Sequence, residues 1–242
     1  MIMDAIWVRF LRGILKMPGA KINRETFLYD AFAKLPSHLR REVVAKSPAE
    51  VLSLDDIESV AKKLINKQSK RVAVVSGAAG IPGGAGMLLS IPADLANFYY
   101  HVVTIGQKIG YLYGFPDMLD DKENLTEYGK LMLTAFIGVM NNVTTANEII
   151  KRIASEAARR VGEETATRVA GKVLQKQVVS QAVELIAHKL GTQITAKTGG
   201  KVITRAIPLV SGVICGVVTY RTFRPAALRL NDTLKKLAAE RH

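Results

Sequence analysis

The sequence predicts an all-α protein, a single helical domain over residues 1–242 around a central apolar helical unit that is broken by Gly and Pro. Apolar residues recur at helical spacing, and Gly, Pro and polar clusters separate the segments that carry them. Hydrophobic residues make up 48% of the chain and charged residues 23%, so charge must be concentrated in some segments and scarce in others. Val and Ile enrichment at 72–75 and 202–218 also permits strands, and the pattern alone leaves that alternative open.

Residues 1–17 predict an amphipathic N-terminal helix, whose regular part covers 3–17. A narrow basic stripe (Arg9, Arg12 and Lys16) divides a wide apolar surface. Such a helix is typical of proteins that lie in a lipid headgroup layer, and the predicted membrane contacts are Trp7, Arg9, Phe10 and Arg12. The alternative is a terminal helix docked on the protein's own core. Charges within the apolar run and the lack of a small-residue cleavage site argue against a cleavable signal peptide.

Residues 20–70 predict a soluble helical part. Asn23 is positioned to cap a first helix. The segment Ser47-Pro48-Ala49-Glu50 predicts another helix start, with a Ser cap, Pro at the first helical position and Glu to complete a capping box. A further helix is expected from about Asp55.

Residues 72–242 predict an apolar and basic helical core around two uncharged runs. The first run, 72–93, has the length of a membrane span, but Pro82 and Pro92 disfavour a straight helix because proline lacks a backbone donor. A broken helix, a helical hairpin or a re-entrant segment is expected instead, with packing that satisfies the freed backbone groups. The second run, 206–220, is short for a span and predicts a buried or half-penetrating helix. The predicted close-packing positions are Gly80, Gly83, Gly84, Gly212 and Gly216.

A helix predicted over 93–113 carries polar residues at spacings of three and four, which place them on one face. One interpretation is a functional lining that faces a cavity or an anionic headgroup, with a ligand-binding set of Asp94, Asn97, His101, Lys108 and Tyr111. The other is the solvated face of an amphipathic helix, capped by Asp94 just after Pro92.

Three further helical segments complete the chain. Gly114, Phe115 and Pro116 end the helix before them, and the next is predicted over about 127–142. Residues 143–200 predict basic amphipathic helices, and residues 226–241 a basic terminal helix. If the protein binds nucleic acid, the basic residues of 151–205 form its phosphate footprint, but no known nucleic-acid-binding motif accompanies them.

The sequence predicts no catalytic site, no metal site and no cofactor. Its four histidines show no two-ligand spacing: His38, His101, His188 and His242. The glycine-rich run 77–86 lacks the Gly-Lys-Ser/Thr ending of a phosphate-binding loop. Cys215, the single cysteine, lies in an apolar run where packing is expected rather than thiolate chemistry, and a lone cysteine suits a reducing compartment.

Several segments resemble the bacterial EcsC family. They occur in order over nearly the whole chain, at 18–28, 79–84, 91–94, 107–114, 136–140, 207–212 and 219–225. Two of these segments are Ala79-Gly80-Ile81-Pro82-Gly83-Gly84 and Gln107-Lys108-Ile109-x-Tyr111-Leu112-Tyr113-Gly114, and the segments are long enough to be fairly specific. The resemblance implies an all-helical, intracellular domain associated with membranes. It implies no activity and no catalytic residue.

The net charge of +13 favours an anionic partner. We expect a non-enzymatic protein, peripheral or partly inserted in a membrane, that interacts with anionic lipid or a membrane protein. Its expected location is cytoplasmic, at the inner face of the cell membrane. One alternative is a module that binds a lipid or small amphiphile in a polar-lined cavity. Another is non-specific nucleic-acid binding through the basic helices.

Overall fold

The fold is all-α, as the sequence predicts. A computed structural model describes residues 2–77, 93–158, 184–189, 192 and 216–240. Its helices are α1 (Ile2–Leu15), α2 (Arg24–Ala31), α3 (Ser37–Ala45), α4 (Pro48–Val51), α5 (Leu54–Gly77), α6 (Ala93–Leu112), α7 (Glu127–Met140), α8 (Thr144–Ala158) and α9 (Gly216–Ala239). Residues 184–189 are also helical. Within these ranges there is no β-strand, and one isolated antiparallel bridge joins Leu119 and Leu125.

The two longest of the described helices, α5 and α9, pack against each other along their length. Near the middle of α5, Arg224 Nε donates to Asn66 Oδ1 at 2.9 Å. Near the N-terminal part of α5, Lys235 Nζ donates to Glu58 Oε2 at 3.1 Å. Residue numbers rise along α9 as they fall along α5, so the two helices are antiparallel.

Helix α6 lies against both of these helices. The Tyr113 hydroxyl donates to Asn231 Oδ1 at 3.0 Å, and the His101 ring lies edge-on to Phe223, with 6.4 Å between centroids. These contacts make α6 parallel to α9 and therefore antiparallel to α5. The C-terminus of α5 and the N-termini of α6 and α9 consequently meet at one end of the bundle.

Helix α1 docks on α6 and α7 through its apolar side. Trp7 and Phe10 are 0% and 4% exposed, and both rings pack edge-on against the ring of Tyr99. Trp7 Nε1 donates to Thr134 Oγ1 at 2.9 Å, so the indole has a polar partner inside the core. The predicted membrane contact of Trp7 and Phe10 is therefore wrong, because these rings are covered by the protein itself.

The two cations that were predicted to contact a membrane, both on α1, are exposed. The side chains of Arg9 and Arg12 lie on the outer surface of the helix. The narrow basic stripe is therefore the solvated face, and the wide apolar side is the face that packs.

Gln107 fixes the segment between α1 and α2 on α6. Its side chain is fully buried, and its Nε2 donates to the carbonyl oxygens of Ala20 at 2.8 Å and Val103 at 3.1 Å. Its Oε1 accepts from the backbone N–H of Ile22 at 3.2 Å. One buried amide thus satisfies three backbone groups, which removes the cost of burying them without partners.

Within residues 20–70, one predicted helix cap is present and another is absent. Asn23 caps α2 as predicted, since its side chain accepts from Thr26 N at 2.9 Å. Ser47 stands at the N-cap of α4, but its side chain makes no capping hydrogen bond, and the helix lasts a single turn. The predicted capping box is therefore absent. The helix expected from about Asp55 begins at Leu54 and continues to Gly77, across the predicted boundary at 70–72.

Helix α9 begins ten residues earlier than the terminal helix predicted from 226, because the helix continues through Pro225. Proline cannot donate to the carbonyl of Arg221, so this continuity costs one backbone hydrogen bond. Helix α6 begins at Ala93, which places Asp94 in its first turn and not at the predicted capping position. The strand alternative is wrong for 72–75 and for 216–218, which are helical.

Some predictions concern residues outside the described ranges. These are the breaks at Pro82 and Pro92, the packing roles of Gly80, Gly83, Gly84, Gly212 and Cys215, the part of the second uncharged run up to residue 215, and the basic helices over 159–183. Gly216 is the first residue of α9. The described helices share one hydrophobic core, to which α1, α2, α3, α5, α6, α7, α8 and α9 all contribute.

Candidate functional site

The polar stripe of α6 is buried in the bundle. The exposed fractions are 7% for Asn97, 6% for His101 and 3% for Thr104, and Tyr111 is fully buried. The interpretation of this stripe as a solvated helix face is therefore wrong. Asp94 lies on the same helix, but its side chain falls outside the described part of the structure.

His101 is held between α5, α6 and α9. Its Nδ1 is 2.6 Å from Gln68 Nε2, and its ring packs edge-on against Tyr100 and Phe223. The pKa of His101 is lowered from 6.5 to about 4, mainly by burial and to a lesser extent by the positive charges of Arg71 and Lys108. The imidazole is therefore neutral near pH 7. With Gln68 as donor to Nδ1, the ring carries its proton on Nε2.

Lys108 is a half-buried cation among other cations. Its Nζ lies 6.0 Å from the ring centroid of Phe27 on α2. Burial lowers the pKa of Lys108, and the nearby charges of Arg71 and Lys67 lower it in the same direction. Both of these α5 side chains are exposed. The Lys108 ammonium thus lies beside an aromatic ring, and the charges of Arg71 and Lys67 disfavour its charged form.

The rest of the stripe does not converge on this point. The Tyr111 hydroxyl accepts from Met118 N at 3.4 Å, on the side of α6 that faces the loop before α7, and burial raises the pKa of Tyr111. Thr104 Oγ1 donates to the carbonyl of Tyr100 within its own helix at 2.7 Å. The structure therefore brings the predicted ligand-binding set together only in part: His101 contacts Gln68 of α5, whereas Lys108 and Tyr111 both lie near the ring of Phe27 on α2.

A second basic feature lies where α5 ends and α6 and α9 begin. Its side chains, all exposed except half-buried Arg224, form what we name the basic end: Lys67, Lys70, Arg71, Arg221 and Arg224. The last carboxylate of α5 is Glu58 and the first of α9 is Asp232, both toward the opposite end. Val74, on the last turns of α5, is 72% exposed. In the first turn of α6, Asp94 is the acidic residue placed at this end by the sequence.

The basic footprint predicted from the sequence covers residues 151–205, most of which lie outside the described ranges, and it does not include these α5 and α9 cations. The sequence does contain a signal for this basic surface: α5 is acidic in its first turn, and all of its charged residues after Glu58 are cations. That asymmetry becomes a surface only once the antiparallel α9 brings its own cations to the same end.

The neutral buried state of His101 predicts a pH dependence of stability. The unfolded chain binds a proton with a pKa near 6.5 and the folded chain only near 4, so stability falls as pH drops between these values. Urea unfolding should show a loss of about 1 kcal/mol between about pH 7.5 and 5.5. His101→Gln keeps a hydrogen-bonding partner for Gln68 and should remove most of that loss. His188→Gln, at an exposed site, should retain it; equal slopes in both variants would contradict the assignment.

Within the described ranges, no group of three or more His, Cys, Asp or Glu side chains is arranged to hold a metal ion. None of the helices there combines the length and the apolar character that a membrane crossing needs. Comparison with family models, curated proteins and solved structures found no match to this chain.

Proposed function

We propose that this protein is a non-enzymatic, peripheral membrane protein whose basic end binds anionic lipid at the inner face of the cell membrane. The observation that carries the proposal is the separation of charge along the α5–α9 pair. At one end, Lys235 pairs with the α5 carboxylates Asp55, at 2.8 Å, and Glu58, at 3.1 Å. At the other end, the five cations of the basic end have no carboxylate from α5 or α9 beside them.

The magnitude of this charge suits reversible membrane binding. Each Lys or Arg near an anionic membrane surface contributes about 1 kcal/mol, and the attraction fades over roughly a Debye length of 8–10 Å. Five cations at one end therefore supply several such increments only when that end faces the lipid. Two helix N-termini, those of α6 and α9, and one helix C-terminus, that of α5, lie at this end of the bundle. Because the N-terminus of a helix dipole is positive, the helix dipoles add a smaller net positive charge to that of the five cations.

Apolar sequence adjoins the basic end. Val74 is exposed there, and the chain that leaves Gly77 toward Ala93 contains no charged residue until α6 begins. The chain that enters Gly216 is likewise uncharged from residue 206. Cations beside uncharged apolar sequence are the combination that interfacial binding uses. The resemblance to the EcsC family implies membrane association and so agrees with this location. Membership of that family is part of the proposal.

Vesicle sedimentation tests the proposal. The intact protein should bind vesicles rich in phosphatidylglycerol and bind pure phosphatidylcholine weakly at physiological ionic strength. Reversing two charges of the basic end, Lys70→Glu with Arg221→Glu, should weaken binding to the anionic vesicles by roughly tenfold or more. Both side chains are exposed, so the fold should tolerate the change.

The matched control changes the same net charge elsewhere. Lys34→Glu with Lys122→Glu alters two exposed cations near α2 and in the loop after α6, away from the basic end. This variant should bind anionic vesicles nearly as well as the unaltered protein. If both variants bind anionic vesicles equally weakly, binding depends on net charge and not on the basic end, and the proposal is overturned. A gel shift with random duplex DNA in the absence of vesicle binding would favour the nucleic-acid alternative.

A further inference from the structure

We infer that the protein stands upright on the membrane, with the α5–α9 pair directed away from the lipid and the loop after α6 held in water. This orientation rests on the proposed function and deepens it, because it assigns which part of the surface contacts anionic lipid and which part is kept away from it. The observations that carry it are the positions of the charged side chains along α5, α6 and α9.

The two ends of the α5–α9 pair differ in charge. From Glu58, the last carboxylate of α5, to Arg71 of the basic end, the helix rises about 20 Å at 1.5 Å per residue. The cations beside Glu58 are already paired, since its carboxylate lies 3.1 Å from Lys235 Nζ and 2.9 Å from Lys62 Nζ. The Debye length is only about 8–10 Å, so a membrane that touches the basic end attracts its cations without reaching the carboxylate of Glu58.

Helix α6 gives the same direction from other residues. Its His101 is level with Gln68 of α5, where the two side chains are 2.6 Å apart, and its C-terminal end is level with Asn231 of α9, which accepts from the Tyr113 hydroxyl. The distance along α6 from His101 to Leu112 is roughly 16 Å. The segment that follows, which we name the acidic loop, therefore lies at the end opposite the basic end. Its charged side chains are all exposed: Asp117, Asp120, Asp121, Lys122 and Glu123.

A protein that lies on its side would bind anionic lipid less well. That orientation would bring the exposed carboxylates of Asp55 and Asp56, or those of the acidic loop, within a Debye length of the lipid. Each carboxylate is then repelled about as strongly as a cation at the same depth is attracted. In the upright orientation, the described helix ends place one carboxylate, Asp94, against the five cations of the basic end.

The exposed cations of α1 form the competing surface. Arg9, Arg12 and Lys16 make up one basic stripe, which is the solvated face of that helix. Three cations attract anionic lipid less than five do, and the attraction grows with each cation near the surface. Contact through α1 would turn the α5–α9 pair to a different angle, so the two orientations bring different residues to the lipid.

Fluorescence quenching by spin-labelled lipid measures the orientation. In a Cys215→Ser background, a single cysteine labelled with bimane is placed by Val74→Cys near the end of α5 or by Ser59→Cys near its start. Both positions are exposed and uncharged, and they lie about 22 Å apart along the same helix, so Ser59→Cys is the matched control. Arg12→Cys reports contact through α1. On phosphatidylglycerol vesicles that contain spin-labelled phosphatidylcholine, quenching should be several-fold stronger at Val74 than at Ser59, and weaker at Arg12 than at Val74.

Sedimentation of the same labelled proteins separates this orientation from the proposed function. The Cys215→Ser protein should sediment with the vesicles as the unaltered protein does. If the labelled proteins do not bind phosphatidylglycerol vesicles, the membrane function fails and the orientation fails with it. If they bind but the labels at Val74 and Ser59 are quenched equally, or the label at Arg12 is quenched most, the protein does not stand upright, and the membrane function is retained.

Discussion

Replacing Trp7 with alanine is expected to lower the free energy of unfolding by about 3–5 kcal/mol, the usual cost of truncating a fully buried aromatic side chain. The indole is 0% exposed, stacks on Phe10 at 5.7 Å between centroids and meets Tyr99 edge-on at 6.2 Å. Alanine would leave a cavity where α1, α6 and α7 meet. Urea denaturation followed by circular dichroism measures the loss directly.

Two further variants make this result specific. Arg9→Ala changes an exposed residue two positions away, and its effect on stability should stay within about 0.5 kcal/mol. Trp7→Phe keeps most of the apolar volume but loses the donor to Thr134, so an intermediate loss is expected. If α1 were instead a membrane-surface helix, Trp7→Ala would leave stability in solution unchanged and weaken vesicle binding.

The amphipathic pattern of α1 was sufficient to predict a helix and its two faces. It could not identify what covers the apolar face, because lipid and a protein core impose the same requirement for apolar residues at helical spacing. The deciding partners, Tyr99 and Thr134, are far along the chain. Only the tertiary fold brings them to Trp7.

Helix boundaries were predicted best where the signal is a backbone requirement. Asn23 caps α2, and Gly114 ends α6 with φ of +81°, a conformation that glycine adopts without strain. The boundary near residue 72 was wrong because a change from charged to apolar composition is no reason for a helix to stop. The helix start predicted at 226 was wrong, since packing of α9 against α5 and α6 outweighs the hydrogen bond that Pro225 removes.

The candidate site was predicted only in part. Spacing alone placed His101 and Lys108 on one face of α6, and the structure confirms that shared face. Their burial could not be predicted, because a polar stripe faces water unless another helix supplies partners. For His101 that partner is α5, through Gln68, and the register that pairs the two side chains is set by the packing of two helices 33 residues apart in sequence at their contact.

Gly129→Ala is expected to destabilise the fold by about 2–4 kcal/mol, although alanine normally stabilises a helix by about 1 kcal/mol relative to glycine. A Cβ at this position, in the first turn of α7, would collide with the backbone carbonyl of Met118 and lie 2.7 Å from its carbonyl carbon. That carbonyl cannot easily move, because it accepts from Thr126 N at 3.2 Å and Thr126 Oγ1 at 3.1 Å.

Gly106→Ala in α6 is the matched control: its Cβ would meet Phe136 at an ordinary 3.9 Å, so stability should stay level or rise. Thermal unfolding of both variants gives opposite signs if Met118 and α7 are as close as described, and a stabilised Gly129→Ala would show that the loop before α7 lies elsewhere.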